Sequence, residues 1–133
     1  MIPSRLSPSG PENTTTMRTR TYELYEPFDV VVVPFPYSDR LAEKRRPALV
    51  ISTTALYEHG MLWVAMITSA VNESWSSDVI ITDLTRAGLP AASVVRPAKI
   101  ACIEPGRVLR RAGSLNRPTA RKVAERLRRF LAS

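Results

Sequence analysis

Lys44, Arg45 and Arg46 stand in a row immediately before Pro47. Three cations entering an apolar run are costly unless they face solvent or an anion. A guanidinium forks onto two oxygens of one phosphate. Pro47 fixes its own φ and biases Arg46 towards an extended backbone, which sets the direction of that side chain. A second feature is Thr68-Ser69, two hydroxyls where the apolar run Met61–Thr68 ends. A hydroxyl there can donate to a phosphate oxygen or satisfy the turn backbone. Arg96 and Lys99 flank Pro97 and can share a sheet end. Trp75 sits among Asn, Glu and Ser, where core packing explains it poorly and stacking on a base or a partner side chain explains it better. Together these residues fit an anionic, phosphate-bearing ligand and its cleavage. A solvated turn remains the plainer reading of Arg45-Arg46-Pro47 taken alone.

Other chemistry has less support. The carboxylates, Asp29, Asp39, Glu43, Glu58, Glu73, Asp78 and Asp83 among them, show no spacing diagnostic of an acid–base pair. His59 is the single histidine and reads as an exposed turn residue; Cys102 is the single cysteine. One His and one Cys do not make a usual zinc set, and neither a metal nor a cofactor is expected. Cys102 lies in the apolar run Ile100–Ile103 and is expected to be a buried thiol. Trp63, in an apolar strand, is expected in the core.

The 133 residues suit one domain, and 44% hydrophobic content suits a compact core. No segment approaches the roughly 18 consecutive apolar residues of a membrane span. The first residues contain no apolar signal region, and the lone cysteine fits a reducing compartment, so a cytoplasmic protein is expected. The net charge of +7 is uneven. Residues 1–103 hold ten Lys/Arg against ten Asp/Glu, whereas the remainder holds nine against two. Such a basic excess fits nucleic acid, because phosphate contacts release counterions, or it is a solvated helix face.

Residues 1–22, rich in Ser, Pro and Thr, read as a disordered extension, and Met17 is a candidate start within it. Residues 23–133 read as the domain. Strands are expected at Val30–Phe35, Pro47–Thr53, Met61–Thr68 and Asp78–Thr82, and a fifth from Ser93–Arg96 and Lys99–Ile103, interrupted or bent at Pro97. Thr54–Gly60 reads as a one-turn helix or turn, Val71–Ser77 as a loop and Thr85–Pro90 as a turn. Asn116-Arg117-Pro118 is a cap with proline in the first turn. Ala120, Val123, Ala124, Leu127 and Leu131 then fall on one stripe of an amphipathic helix. The expected fold is mainly β (α+β): a small SH3-like barrel of about five to seven short strands with a C-terminal amphipathic helix.

The order FDVVVVPFP, KRRPALVIS, VAMITSAV, GLPAASVVRPAKI and a closing helix resembles the MazF/PemK toxin family over about residues 28–131. That resemblance implies an SH3-like barrel, a homodimer, an antitoxin protein as partner, and sequence-selective, metal-independent cleavage of single-stranded RNA. It places the family's catalytic Arg on Arg46 and its catalytic Thr or Ser on Thr68. A further Arg falls on Arg96, and Lys44, Arg45, Ser69, Trp75 and Lys99 are the other candidate RNA contacts. The chain departs from the family at three points. Ala98 stands where some members have Asp, the first loop has no His, and Phe28-Asp29 replaces a Gly-Asp opening. Two alternatives stay open: a non-catalytic toxin of the same barrel type acting on a topoisomerase, and a basic nucleic-acid-binding module.

Overall fold

The computed structural model describes residues 24–34 and 44–132. The expectations for residues 1–22, for Met17 and for the first loop lie outside the described residues.

Six strands form one antiparallel sheet: β1 Asp29–Pro34, β2 Arg45–Val50, β3 Leu62–Ser69, β4 Val79–Ile80, β5 Ser93–Ile103 and β6 Arg110–Ser114. Their order across the sheet is β4-β5-β3-β2-β1-β6. The sheet curls into a half-barrel with apolar residues on both faces. Strand alternation explains the two cores. Val31, Val33, Ala48, Val50, Leu62 and Val64 fill one cluster. Val30, Leu49, Ala65 and Ile67 face the other, which Val123 of the helix α2 (Arg117–Phe130) completes.

β5 is continuous, but its register breaks. Met66 pairs with Arg96 and Ala65 with Ile100, so Pro97, Ala98 and Lys99 have no partners on β3. An odd insertion flips the faces. Val95 therefore belongs to one cluster and Ala101 to the other. Proline, which cannot donate to a ladder, is tolerated at this bulge, where Pro97 is fully buried.

The expected turn at Thr85–Pro90 is a short helix, α1 (Leu84–Ala87). The Asp83 carboxylate accepts from the Arg86 N–H at one end, and Gly88 closes the other at φ +73°. A Cβ at Gly88 would lie 2.0 Å from the Ala112 carbonyl oxygen, and one at Gly113 2.1 Å from that of Arg86. Glycine at both positions is what lets α1 lie against β6. That edge strand was not expected from its sequence, RRAGS, which has no β-branched residue.

Asn116 caps α2 by accepting from the Thr119 N–H at 3.1 Å, and Pro118 lies in the first turn. Val123 is buried and Ala120, Ala124 and Leu127 half-buried, but Leu131 lies past the helix end and is exposed. Two further expectations are corrected. Trp63 is 42% exposed, because alternation puts Leu62 and Val64 inward and turns the indole to the other side. Cys102 is exposed, since it pairs with Trp63 and shares its side of the sheet.

Candidate active site

β2 and β3 pair as Ala48↔Met66, Leu49↔Ala65 and Val50↔Val64. Arg46 and Thr68 each lie two residues beyond the last pair, Ala48↔Met66. Paired residues share a face, as do alternate residues on one strand. Val33, Ala48 and Met66 all lie on or against one core cluster, and Val33 pairs with Arg46. Arg46 and Thr68 therefore extend that face beyond its apolar part. Arg96, paired with Met66, joins it from β5. The ladder between β2 and β3 stops at Ala48, next to Pro47, which has no N–H.

Thr68 is 6% exposed, and its Oγ1 accepts a 2.7 Å hydrogen bond from the Asn72 side-chain amide. Ser69 is exposed, and its Oγ accepts from the Val71 N–H at 3.3 Å. Arg46 is half-buried, Lys44 and Arg45 are exposed, and among the described residues no carboxylate pairs with any of the three.

Arg96 is placed differently. Its side chain is 9% exposed. Its Nε and one terminal nitrogen fork onto Asp78 at 3.0 and 2.9 Å, and that nitrogen also donates to the Glu73 carbonyl oxygen at 2.6 Å. The Trp75 ring covers the guanidinium, 4.2 Å from ring centre to the guanidinium carbon. Burial opposes ionisation of Asp78. The Arg96 hydrogen bonds, the Trp75 backbone N–H and the Arg96 charge outweigh it and hold the carboxyl below its ordinary range. Arg96 is thus committed to the loop between β3 and β4. Lys99 sits half-buried in the bulge.

Trp75 is 42% exposed on this loop. Asn72 and Asp78, the two side chains that fix the loop, were not singled out in the sequence. Val79 pairs with Val95, so the next position sets Asp78 opposite Arg96, a register that the sequence does not show. Asn72 carries no signal in one dimension. His59 is exposed in a 3₁₀ turn, Thr54–His59, that follows β2. Among the described residues no three His, Cys, Asp or Glu side chains gather.

Fold and site together define a small half-barrel protein with a cationic, hydroxyl-bearing end. Solved structures share the architecture. MazF from Deinococcus radiodurans matches with a TM-score of 0.65 at 19% identity, over 82% of this chain and 97% of its own. The Mycobacterium tuberculosis toxin MazF-mt6 matches with 0.60 at 21%, over 74% and 91%. An endoribonuclease in complex with its cognate antitoxin, from a mycobacterial species, matches with 0.61 at 15%, over 77% and 90%. No curated protein matches the chain by sequence. The family model for PemK-like, MazF-like toxins of type II toxin–antitoxin systems matches residues 26–131, and the chain belongs to that family. No helix among the described residues is long and apolar enough to cross a membrane.

Proposed function

We propose that this toxin is a sequence-selective, metal-independent endoribonuclease acting on single-stranded RNA in the cytoplasm. The observation that supports the reading is strand alternation from the Ala48↔Met66 and Val33↔Arg46 pairs, which puts Arg46 and Thr68 on one face at the same end of the sheet. In the proposed reaction the RNA 2′-oxygen attacks the adjacent phosphorus in line with the 5′-oxygen. The new P–O2′ bond forms as the P–O5′ bond breaks. The 2′-hydroxyl gives up its proton and the leaving 5′-oxygen gains one, which leaves a 2′,3′-cyclic phosphate and a 5′-hydroxyl. Charge builds on the non-bridging oxygens, where the Arg46 guanidinium forks and Thr68 donates. Arg46 acts by its charge and its fork of N–H donors. DNA lacks the nucleophile, so RNA selectivity follows from the chemistry.

Lys44 and Arg45 serve as phosphate contacts beside Arg46, with Ser69 and Lys99 at the margin. Trp75 stacks on a base through the ring face that Arg96 leaves open. Arg96 acts on RNA through the loop that it holds. The functional partner is an antitoxin, as in the similar endoribonuclease–antitoxin complex. An acidic segment of it suits the cationic surface, and the working unit is a homodimer.

The test is to incubate the purified chain with a long unstructured RNA in EDTA and map the new ends. Cleavage at a recurring short sequence with 5′-hydroxyl ends is expected. An absolute need for added divalent metal would overturn the mechanism. RNA bound but left intact would make the chain a binding module instead.

A further inference from the structure

The Asn72 amide nitrogen stands 2.7 Å from Thr68 Oγ1 and donates to it. A hydroxyl has one proton and two lone pairs. A donor placed on a lone pair turns the hydroxyl proton elsewhere. Ordering around Asn72 is dense. Its backbone N–H donates to the Ser69 carbonyl at 3.1 Å, and the Ala70 N–H ties the start of the loop to Ala92 at 3.0 Å. Arg96 pins the next residue, Glu73, through its carbonyl oxygen. Thr68 is β-branched and its side chain is almost enclosed, so its χ1 angle is restricted as well. Among the described residues the exposed Ser69 hydroxyl has no such side-chain partner; it accepts from the local turn.

We propose that Asn72 is a positioning residue: its amide holds the Thr68 hydroxyl as a hydrogen-bond donor aimed at a phosphate oxygen of the bound RNA. This rests on Thr68 belonging to the RNA-cleaving site. Asn72 touches no substrate in this role. Its effect is to set the direction of one proton.

The direction of the bond makes the idea testable. A carboxylate accepts and cannot donate. In Asn72→Asp the Thr68 proton would turn towards the new carboxylate and away from the phosphate. The experiment measures kcat/KM on the strongest RNA fragment cut by the wild-type chain, for Thr68→Ala, Asn72→Asp, Asn72→Ala and the Thr68→Ala/Asn72→Asp pair. Thermal midpoints check folding. Thr68→Ala and Asn72→Asp are each expected to lose about tenfold, the worth of one hydrogen bond. The double variant should be no slower than Thr68→Ala alone, because the second change then has no hydroxyl to redirect. Asn72→Asp should also regain rate relative to wild type as pH falls towards about 4, where the carboxyl takes up a proton and can donate again.

If Thr68→Ala cleaves as fast as wild type, the reading of the site fails. If Thr68→Ala is slow but Asn72→Asp is not, the positioning role is overturned. Additive losses in the double variant would also overturn it, since charge repulsion or loosened structure would then act independently of Thr68. Should Asn72→Asp not fold, the same cycle with Asn72→Ala decides: additivity sinks the proposal and non-additivity supports it.

Discussion

The guanidinium carbon of Arg96 lies 4.2 Å from the centre of the Trp75 ring while the same guanidinium forks onto Asp78. One face of the indole is therefore committed to the protein, and Trp75 reaches solvent as a pre-ordered platform. Stacking on an immobilised ring avoids the entropy of ordering it at the moment of binding. The positions of Arg96, Trp75 and Asp78 depend on one another, and removing any of them should disturb the others.

Trp75→Ala should raise the apparent dissociation constant for RNA by roughly 5- to 150-fold, matching about 1–3 kcal/mol per stacked base. It should also lower the thermal midpoint slightly through the lost cation–π contact, worth about 0.5–2 kcal/mol. Trp75→Phe should recover much of both. Titration of labelled RNA, beside a melting curve, checks this. Unchanged binding by well-folded Trp75→Ala would leave the residue only its contact with Arg96.

The Asp78–Arg96 pair makes a defined contribution to acid stability. The carboxyl of Asp78 is held below its ordinary value of 3.8 in the folded chain. A depressed folded pKa contributes stability that is fully present above the unfolded value and is lost as pH falls through the folded one. Asp78→Asn should therefore be less stable than wild type at pH 5–7, with the gap closing as pH drops below 3.8. Asp78→Ala should cost about 3 kcal/mol near neutrality, because it leaves the buried Arg96 charge uncompensated. Urea midpoints of the variants across pH 2–7 measure both effects. A gap that persists unchanged in acid would mean that the pair contributes through packing alone.

Arg46→Ala should slow RNA cleavage by about 10²-fold or more, from loss of one positioned charge at the transition state. Thr68→Ala, which removes a neutral hydrogen bond, should lose about tenfold. Arg129→Ala serves as the charge control. Arg129 lies on α2, mostly in solvent and 3.8 Å from Glu125, and its loss should leave the chemical step unchanged. Single-turnover rates separate the three; equal losses would point to general charge rather than a site.

The two strand positions Leu62 and Trp63 should respond unequally to truncation. Leu62 is fully buried, so Leu62→Ala should cost about 2–5 kcal/mol. Trp63 keeps 42% of its surface in water, so Trp63→Ala should cost well under the roughly 3–5 kcal/mol of a packed aromatic. Denaturant midpoints of the two variants decide it.

Local features were readable from the residues. The β-branched run at Val30–Val33, the apolar runs of β2 and β3, and the capped stripe of α2 each follow from period and propensity, which are properties of neighbours in the chain. The cationic row before Pro47 and the hydroxyls at the end of β3 were visible as candidates for the same reason. The RRAGS edge strand was not, because its pairing with β1 and its glycine-mediated fit to α1 replace the propensity it lacks.

Partners across strands were beyond the sequence, because they depend on register. A three-residue bulge at Pro97–Lys99 decides which side of the sheet Arg96 and Ala101 occupy. That choice turns Arg96 from a free surface cation into the buried partner of Asp78. The same alternation turned Trp63 and Cys102 outward from runs that looked uniformly apolar. Residue types and their order along the chain thus determined which groups are present for phosphate chemistry. Tertiary structure alone decided which of them face one another, because a shift of one residue in pairing moves a side chain to the opposite side of a sheet.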